Sequence, residues 1–80
     1  MQKFQICFRR PEEISEFVDI MDQCEYEADL ISGKNMVDAK SLLGVIAISR
    51  AEKIELVVYG EDLKELIGKI QRYFAGQKIA

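Results

Sequence analysis

A chain of 80 residues, 49% hydrophobic and 31% charged, predicts one small globular domain spanning 1–80, because this length supports a single core. The net charge of −3 and the lack of a basic block argue against a nucleic-acid partner, which requires clustered lysines and arginines. The longest apolar run, residues 42–48, is shorter than the roughly 20 residues of a membrane span, and residues 1–4 do not read as a signal peptide. We therefore expect a cytoplasmic protein with neither nucleic acid nor a membrane among its partners.

Side chains that hold metals are scarce in this sequence. Its two cysteines, Cys7 and Cys24, lie far apart and outside any Cys-x-x-Cys arrangement, and the chain has no histidine. A zinc site would therefore need both thiolates together with carboxylates, which is an uncommon ligand set. We predict two reduced, mostly buried thiols, no metal site and no cofactor.

The first quarter of the chain predicts a strand followed by a helix. Residues 2–8 alternate between apolar and polar, as a strand with one buried face does. Pro11 suits the first helical position, and the glutamates after it favour the positive end of the helix dipole. Apolar side chains then recur at helical spacing through about Cys24: Ile14, Phe17, Val18 and Met21.

The middle of the chain predicts a hairpin and a short helix. Strands at 27–31 and 36–38 flank the turn cluster at 32–35. Ser41 then opens a brief apolar helix that ends near Ser49. We predict that the helix core is formed by Val45, Ile46 and Ile48, that Gly44 permits close backbone packing, and that Leu42 and Leu43 form an exposed apolar patch of the kind that marks a partner surface.

The last part of the chain predicts a strand and a helix. Residues 52–59 form the clearest strand, with Ile54, Leu56 and Val58 on one face. Residues 60–62 start the final helix, and Gly76 is a plausible stop signal. The buried stripe of this helix is predicted to contain five residues: Leu63, Leu66, Ile67, Ile70 and Phe74.

The predicted order of elements is βαββαβα. Each helix has one apolar stripe, and the best strands have one apolar face. Both are buried when the helices cover one side of a sheet. The fold class is therefore α+β: a two-layer open-faced sandwich with three helices on one face of a four-stranded, mostly antiparallel sheet.

This order, the motif Lys40-Ser41-Leu42-Leu43-Gly44-Val45 and the helix start at 60–62 resemble the HPr family. HPr is the small histidine-containing phosphocarrier protein of the bacterial sugar phosphotransferase system. The resemblance spans essentially the whole chain and is tightest from about Val37 to Ile48. It implies the HPr fold, with a surface beside the motif serine that partner proteins bind.

The family carries phosphate on the histidine of a His-Ala-Arg-Pro loop after the first strand, and here that loop reads Phe8-Arg9-Arg10-Pro11. Alignment on Pro11 places Phe8 at the histidine and Arg10 at the arginine, whereas gapless alignment back from Ser41 places Arg10 at the histidine. Neither a phenyl nor a guanidinium group accepts phosphate as an imidazole does. Both alignments therefore predict no histidine phosphotransfer and no catalytic residue, while Arg9 and Arg10 stay candidates for loose anion binding.

The resemblance implies a second function at Ser41. In HPr proteins of many low-GC Gram-positive bacteria, a dedicated kinase phosphorylates the serine of this motif, and the modified form is a co-effector of carbon catabolite repression. Ser41 matches that serine, and Lys40, Leu42 and Leu43 match its partner-binding neighbours. A phosphate on a serine at a helix start lies at the positive end of the dipole. A plain capping serine is the alternative interpretation.

Three functional hypotheses follow. The first is an HPr-like regulatory protein that binds proteins such as an HPr kinase or a transcriptional regulator. The second is a structural or oligomerisation module without phosphate chemistry, including a homodimer paired through sheet edges. The third, an enzyme with Cys7 as nucleophile, is disfavoured because its thiolate would depend on Arg9 or Arg10 in place of a histidine base. We therefore predict that the protein is not an enzyme.

Overall fold

The computed structural model describes residues 1–75, and in this part of the chain four strands and three helices follow the predicted order. The element bounds are β1 Gln2–Ile6, α1 Glu12–Gln23, β2 Ala28–Ser32, β3 Asn35–Asp38, α2 Leu42–Ile48, β4 Ile54–Val58 and α3 Lys64–Ile70, followed by a 3-10 turn at Gln71–Tyr73. The strands form one sheet in the order β1-β4-β2-β3, and every pair is antiparallel. The predicted α+β open-faced sandwich is confirmed.

The sheet presents one apolar face to the helices. Leu56 of β4 lies opposite Phe4 on one side and Leu30 on the other. Ile54 and Val58 share that face with Leu56 and are buried, as predicted. Because side chains alternate along a strand, this register directs every second residue of the sheet toward the helices.

Val57 departs from the predicted pattern. It lies on the open face, between Lys3 of β1 and Asp29 of β2, and yet only 2% of its surface is exposed. The central position of β4 accounts for this burial, because the neighbouring strands flank Val57 on both sides.

Helix α1 supplies the centre of the core. Phe17, Val18 and Met21 are buried, as their spacing predicts. The ring of Phe17 meets Phe8 edge to face at 5.3 Å and Tyr73 at 5.6 Å. Such edge-to-face geometry is favourable beyond the area that it buries. This aromatic cluster joins the loop after β1 to the 3-10 turn at the end of α3.

Helix α3 begins later than predicted. The predicted start at Gly60 is wrong, because residues 60–63 form a connection in which Leu63 has non-helical dihedrals (φ −111°, ψ 15°). The ring of Tyr26 packs directly on Gly60, and the Gln2 side-chain amide donates to the carbonyl of Glu61 at 3.3 Å. These long-range contacts hold the connection in place of a first helical turn.

The end of α3 differs from the prediction as well. The helix ends at Ile70, and after the 3-10 turn Phe74 is extended (φ −64°, ψ 135°) and pairs with Ile6 in an antiparallel bridge. Its ring stacks on Phe4 with centroids 5.3 Å apart. Phe74 is therefore packed on the sheet rather than on the helical stripe, and the predicted stop at Gly76 lies outside the described residues.

Alkaline pH is expected to destabilise the protein through Tyr73. Burial raises the pKa of its hydroxyl above the ordinary value of 10.0, although the neighbouring Arg72 guanidinium acts in the opposite direction. A raised pKa in the folded state means that the stabilisation is complete below the unfolded pKa and is lost as pH rises through the folded one. Urea unfolding between about pH 9 and about pH 11 measures how steeply the free energy of unfolding falls with pH. Tyr73→Phe should make this fall less steep.

Tyr59→Phe is the matched control for this prediction. The pKa of Tyr59 is also raised, chiefly by its hydrogen bond to Asp29, but Tyr59 lies exposed on the open face, where solvent screens the interaction. We expect the free energy of unfolding of Tyr59→Phe to fall with rising pH almost as steeply as that of the wild type. Parallel loss of stability in Tyr73→Phe and the wild type would contradict the assignment to Tyr73.

Candidate functional site

Ser41 caps helix α2. Its backbone is extended (φ −99°, ψ 113°), and its hydroxyl accepts a hydrogen bond from the Gly44 N–H at 3.2 Å. This is the geometry by which a capping serine satisfies one of the free N–H groups of a helix start. The predicted capping role of Ser41 is therefore confirmed, and its side chain is half-buried at the edge of the protein surface.

Gly44 brings the start of α2 close to strand β3. A Cβ atom at this position would lie 3.1 Å from Cβ of Val37 and 3.3 Å from the Ser41 hydroxyl oxygen. The predicted close packing at Gly44 is therefore confirmed. A side chain here would press on the capping hydroxyl itself.

Lys40 connects the residue before the cap to the end of α1. Its ammonium donates to the Cys24 carbonyl at 2.6 Å, and its backbone N–H donates to Asp38 Oδ1 at 2.8 Å. A cation at the C-terminal end of a helix is favoured because the last carbonyls are free and the dipole is negative there. The Lys40 ammonium is thus used inside the chain, and its role in partner binding stays a prediction.

Helix α2 carries an exposed apolar surface, here called the α2 ridge and formed by Leu42, Leu43 and Ile46. The exposed fractions of these side chains are 44%, 80% and 48%. Exposure of Leu42 and Leu43 confirms the predicted patch. The prediction of Ile46 as a core residue is wrong, because in this seven-residue helix Val45 and Ile48 take the positions that face the core.

A groove lies between the ridge and the start of α1, and we call it the α1–α2 groove. It encloses about 550 Å³; Phe8, Ile14 and Ile46 form its apolar wall, and Arg9, Arg10 and Arg50 bring positive charge to it. Arg50 was not predicted from the sequence as a site residue. Its position two residues after the end of α2, at i+4 from Ile46, was the signal that could have identified it.

The loop after β1 is held by packing on the core and by hydrogen bonds of Arg9. The Phe8 ring is partly buried against Phe17 and Tyr73. The Arg9 N–H donates to a carboxylate oxygen of Glu13 at 2.7 Å, and its guanidinium donates to the Arg72 carbonyl at 3.2 Å. A carboxylate thus already lies at the start of α1, where a bound anion would be favoured. Anion binding by Arg9 and Arg10 stays a prediction.

Residues 1–75 contain neither a cluster of metal-binding side chains nor a membrane-spanning helix. Within this range no three side chains of the metal-binding types gather in one place. Cys7 and Cys24 are free, partly buried thiols in the same part of the chain. No helix among the described residues has the length and apolar character needed to cross a bilayer.

This chain is similar in structure to three solved HPr proteins. HPr-C-His from Thermoanaerobacter tengcongensis matches with a TM-score of 0.72 and 19% identity, over 90% of this chain and 89% of that one. The chain has the HPr fold. The histidine-containing phosphocarrier protein of Mycoplasma matches with a TM-score of 0.71 and 18% identity, over 89% of each chain. HPr from Bacillus anthracis str. Ames matches with a TM-score of 0.69 and 19% identity, over 92% of this chain and 94% of that one.

The similarity to these solved structures is one of fold, at 18–19% sequence identity. No protein-family model matches the chain, and no curated protein sequence matches it. At this level of identity the fold is common to the proteins compared, while the chemistry depends on the side chains at the site.

Proposed function

We propose that this chain is a regulatory member of the HPr family that acts by binding other proteins through Ser41 and the α2 ridge. The observation that carries the proposal is the exposure of Leu42, Leu43 and Ile46 directly beside the capping serine. An exposed cluster of large aliphatic side chains on a small soluble domain is typical of a protein-binding surface. The proposed partners are an HPr kinase and a transcriptional regulator, in the cytoplasm of a bacterium.

Phosphotransfer through a histidine is not part of the proposed function. The chain has no histidine, and the side chains in the loop after β1 are a phenyl ring in the aromatic cluster and two guanidinium groups. None of these groups is a nucleophile toward a phosphoryl group at neutral pH. The protein is therefore proposed to be neither a phosphocarrier nor an enzyme.

Ser41 is proposed as the site of regulatory phosphorylation. Its hydroxyl accepts a long hydrogen bond from the Gly44 N–H, and the motif around it matches the phosphorylated motif of the family. Adding a dianionic phosphate would change the charge beside Leu42 and Leu43 without removing a core contact. The modification would therefore alter which partners bind the ridge, as a switch in catabolite repression requires.

Incubation with a bacterial HPr kinase and ATP tests this proposal. We expect intact-protein mass spectrometry to show the addition of one phosphate to the wild type and none to Ser41→Ala. Ser49→Ala is the matched control, because Ser49 lies at the other end of α2 and its loss should leave the modification intact. An unmodified wild type, or equal modification of Ser41→Ala, would refute the serine switch.

A further inference from the structure

A second concavity, here called the α1–α3 cleft, lies at the opposite end of α1 from the α1–α2 groove. It encloses about 410 Å³ between the last turn of α1 and the start of α3. Ile20, Tyr26, Leu63 and Leu66 form its floor. Leu63 and Leu66 are buried, and Ile20 and Tyr26 are half-buried. The floor of the cleft is therefore formed by apolar side chains that are buried or half-buried.

The rim of this cleft is acidic. Glu25, Asp62 and Glu65 are exposed around it, together with Lys69. The Lys40 ammonium on the Cys24 carbonyl offsets the negative end of the α1 dipole, so the rim owes its negative charge to the three carboxylates. A ligand for this cleft needs an apolar face bordered by positive charge.

The α2 ridge and its neighbour Arg50 have this chemistry. Leu43 and Ile46 are spaced at i and i+3, which places them on one side of α2, and Arg50 follows two residues after the helix ends. Leu43 and Ile46 are the exposed apolar side chains of that side, and Arg50 is exposed beyond the end of the helix. An apolar helix face with a charged end is the usual ligand of an apolar groove with a complementary rim.

The ridge cannot reach the cleft of its own molecule. Helix α1 packs against both α2 and α3. Ile46 faces the first turns of α1 across the α1–α2 groove, whereas the α1–α3 cleft borders its last turn. The two surfaces therefore lie on different sides of α1, which packs against α2 on one side and against α3 on the other.

We propose that the α2 ridge of one molecule docks into the α1–α3 cleft of a second copy of this chain. Such a contact joins two different surfaces, so it is head-to-tail and propagates into short oligomers or a ring. A stable interface buries about 800 Å² per partner, and the ridge presents only a few side chains. The association is therefore weak and reversible, and it depends on the protein concentration.

This self-association goes beyond the proposed regulatory function and does not depend on a kinase. It covers Leu43 and Ile46, which are part of the surface proposed for partner proteins. Docking of a second copy and docking of another protein therefore exclude each other. The ridge is buried in the oligomer. Dilution, or a partner that binds the ridge with higher affinity, exposes it again.

Sedimentation velocity over a series of protein concentrations tests the proposal. We expect the weight-average sedimentation coefficient to rise with concentration at low salt and to fall toward that of the monomer at high salt, because salt screens the contacts of the rim. Arg50→Glu and Glu65→Lys should each weaken the association by about tenfold or more, since each places like charges in contact. Lys34→Glu, in the hairpin turn away from both surfaces, is the matched control and should associate as the wild type does.

Mixing the two charge-reversed variants gives the sharpest result. Arg50→Glu keeps an intact cleft and Glu65→Lys keeps an intact ridge, so an equimolar mixture should associate although neither variant does so alone. A wild type that stays monomeric at every concentration would overturn the proposal. Association that both reversals leave unchanged would overturn it too, because another surface would then be responsible.

The same variants separate this inference from the proposed function. Glu65 lies in the cleft, so Glu65→Lys should accept phosphate at Ser41 as the wild type does while losing self-association. Loss of self-association with phosphorylation retained supports both proposals. A monomeric wild type that is still phosphorylated would overturn the self-association and leave the regulatory function standing.

Discussion

Replacing Phe17 by alanine is expected to lower the free energy of unfolding by about 3–5 kcal/mol. Phe17 is fully buried and forms the centre of the aromatic cluster with Phe8 and Tyr73. Its removal leaves a cavity that the neighbouring side chains fill only in part. A chain of 80 residues has a total stability of about 4–12 kcal/mol, so this single change would remove a large part of it.

Urea unfolding followed by circular dichroism measures this loss. Leu43→Ala is the control, because it also truncates a large apolar side chain but one that is 80% exposed, and it should change the stability by less than about 0.5 kcal/mol. Similar losses in the two variants would contradict the position of Phe17 in the core. The comparison also separates the side chains that hold the fold from those available to a partner.

Replacing Gly60 by alanine is expected to cost about 1–3 kcal/mol. A Cβ atom at this position would overlap the ring of Tyr26. The ring would therefore have to leave its place in the floor of the α1–α3 cleft. The backbone of Gly60 does not have the positive φ that is found at Gly33, and the cost is therefore steric. Thermal or urea unfolding measures it.

Two further variants test the steric explanation. Gly68→Ala in α3 meets open space and should raise the stability by about 0.5–1 kcal/mol, since alanine is the better helix former. Gly60→Ala introduced into Tyr26→Ala should cost little, because the ring is already gone. If Gly60→Ala destabilises Tyr26→Ala as much as the wild type, the contact with the ring is not the cause.

The α2 ridge and the aromatic cluster together explain why a protein-binding role is the best-supported function. The loop that carries the phosphate in the family resembled here is shaped in this chain by Phe8, which belongs to the core. The ridge, in contrast, contributes exposed aliphatic surface that the core does not use. Packing of the core explains the first feature, whereas the second is the basis of the proposed protein binding.

The candidate site was predictable in part. The capping serine and the exposure of Leu42 and Leu43 follow from local rules, because a serine before an apolar run caps a helix and a short helix cannot bury every apolar residue. Arg50, the exposure of Ile46 and the acidic cleft were missed. Each of these depends on how α2 and α3 are placed against α1, and no local pattern encodes those placements.

The sequence by itself determined the element order, the helical and strand faces, the two-layer architecture and the absence of an imidazole for phosphotransfer. These features depend on residue periodicity and residue type, which are local properties of the chain. Only the tertiary structure decided where α3 begins, that Phe74 pairs with Ile6, and that the α2 ridge and the α1–α3 cleft lie on different sides of α1. These features depend on contacts between residues distant in the chain, such as that of Tyr26 with Gly60, and such contacts exist only once the layers have packed.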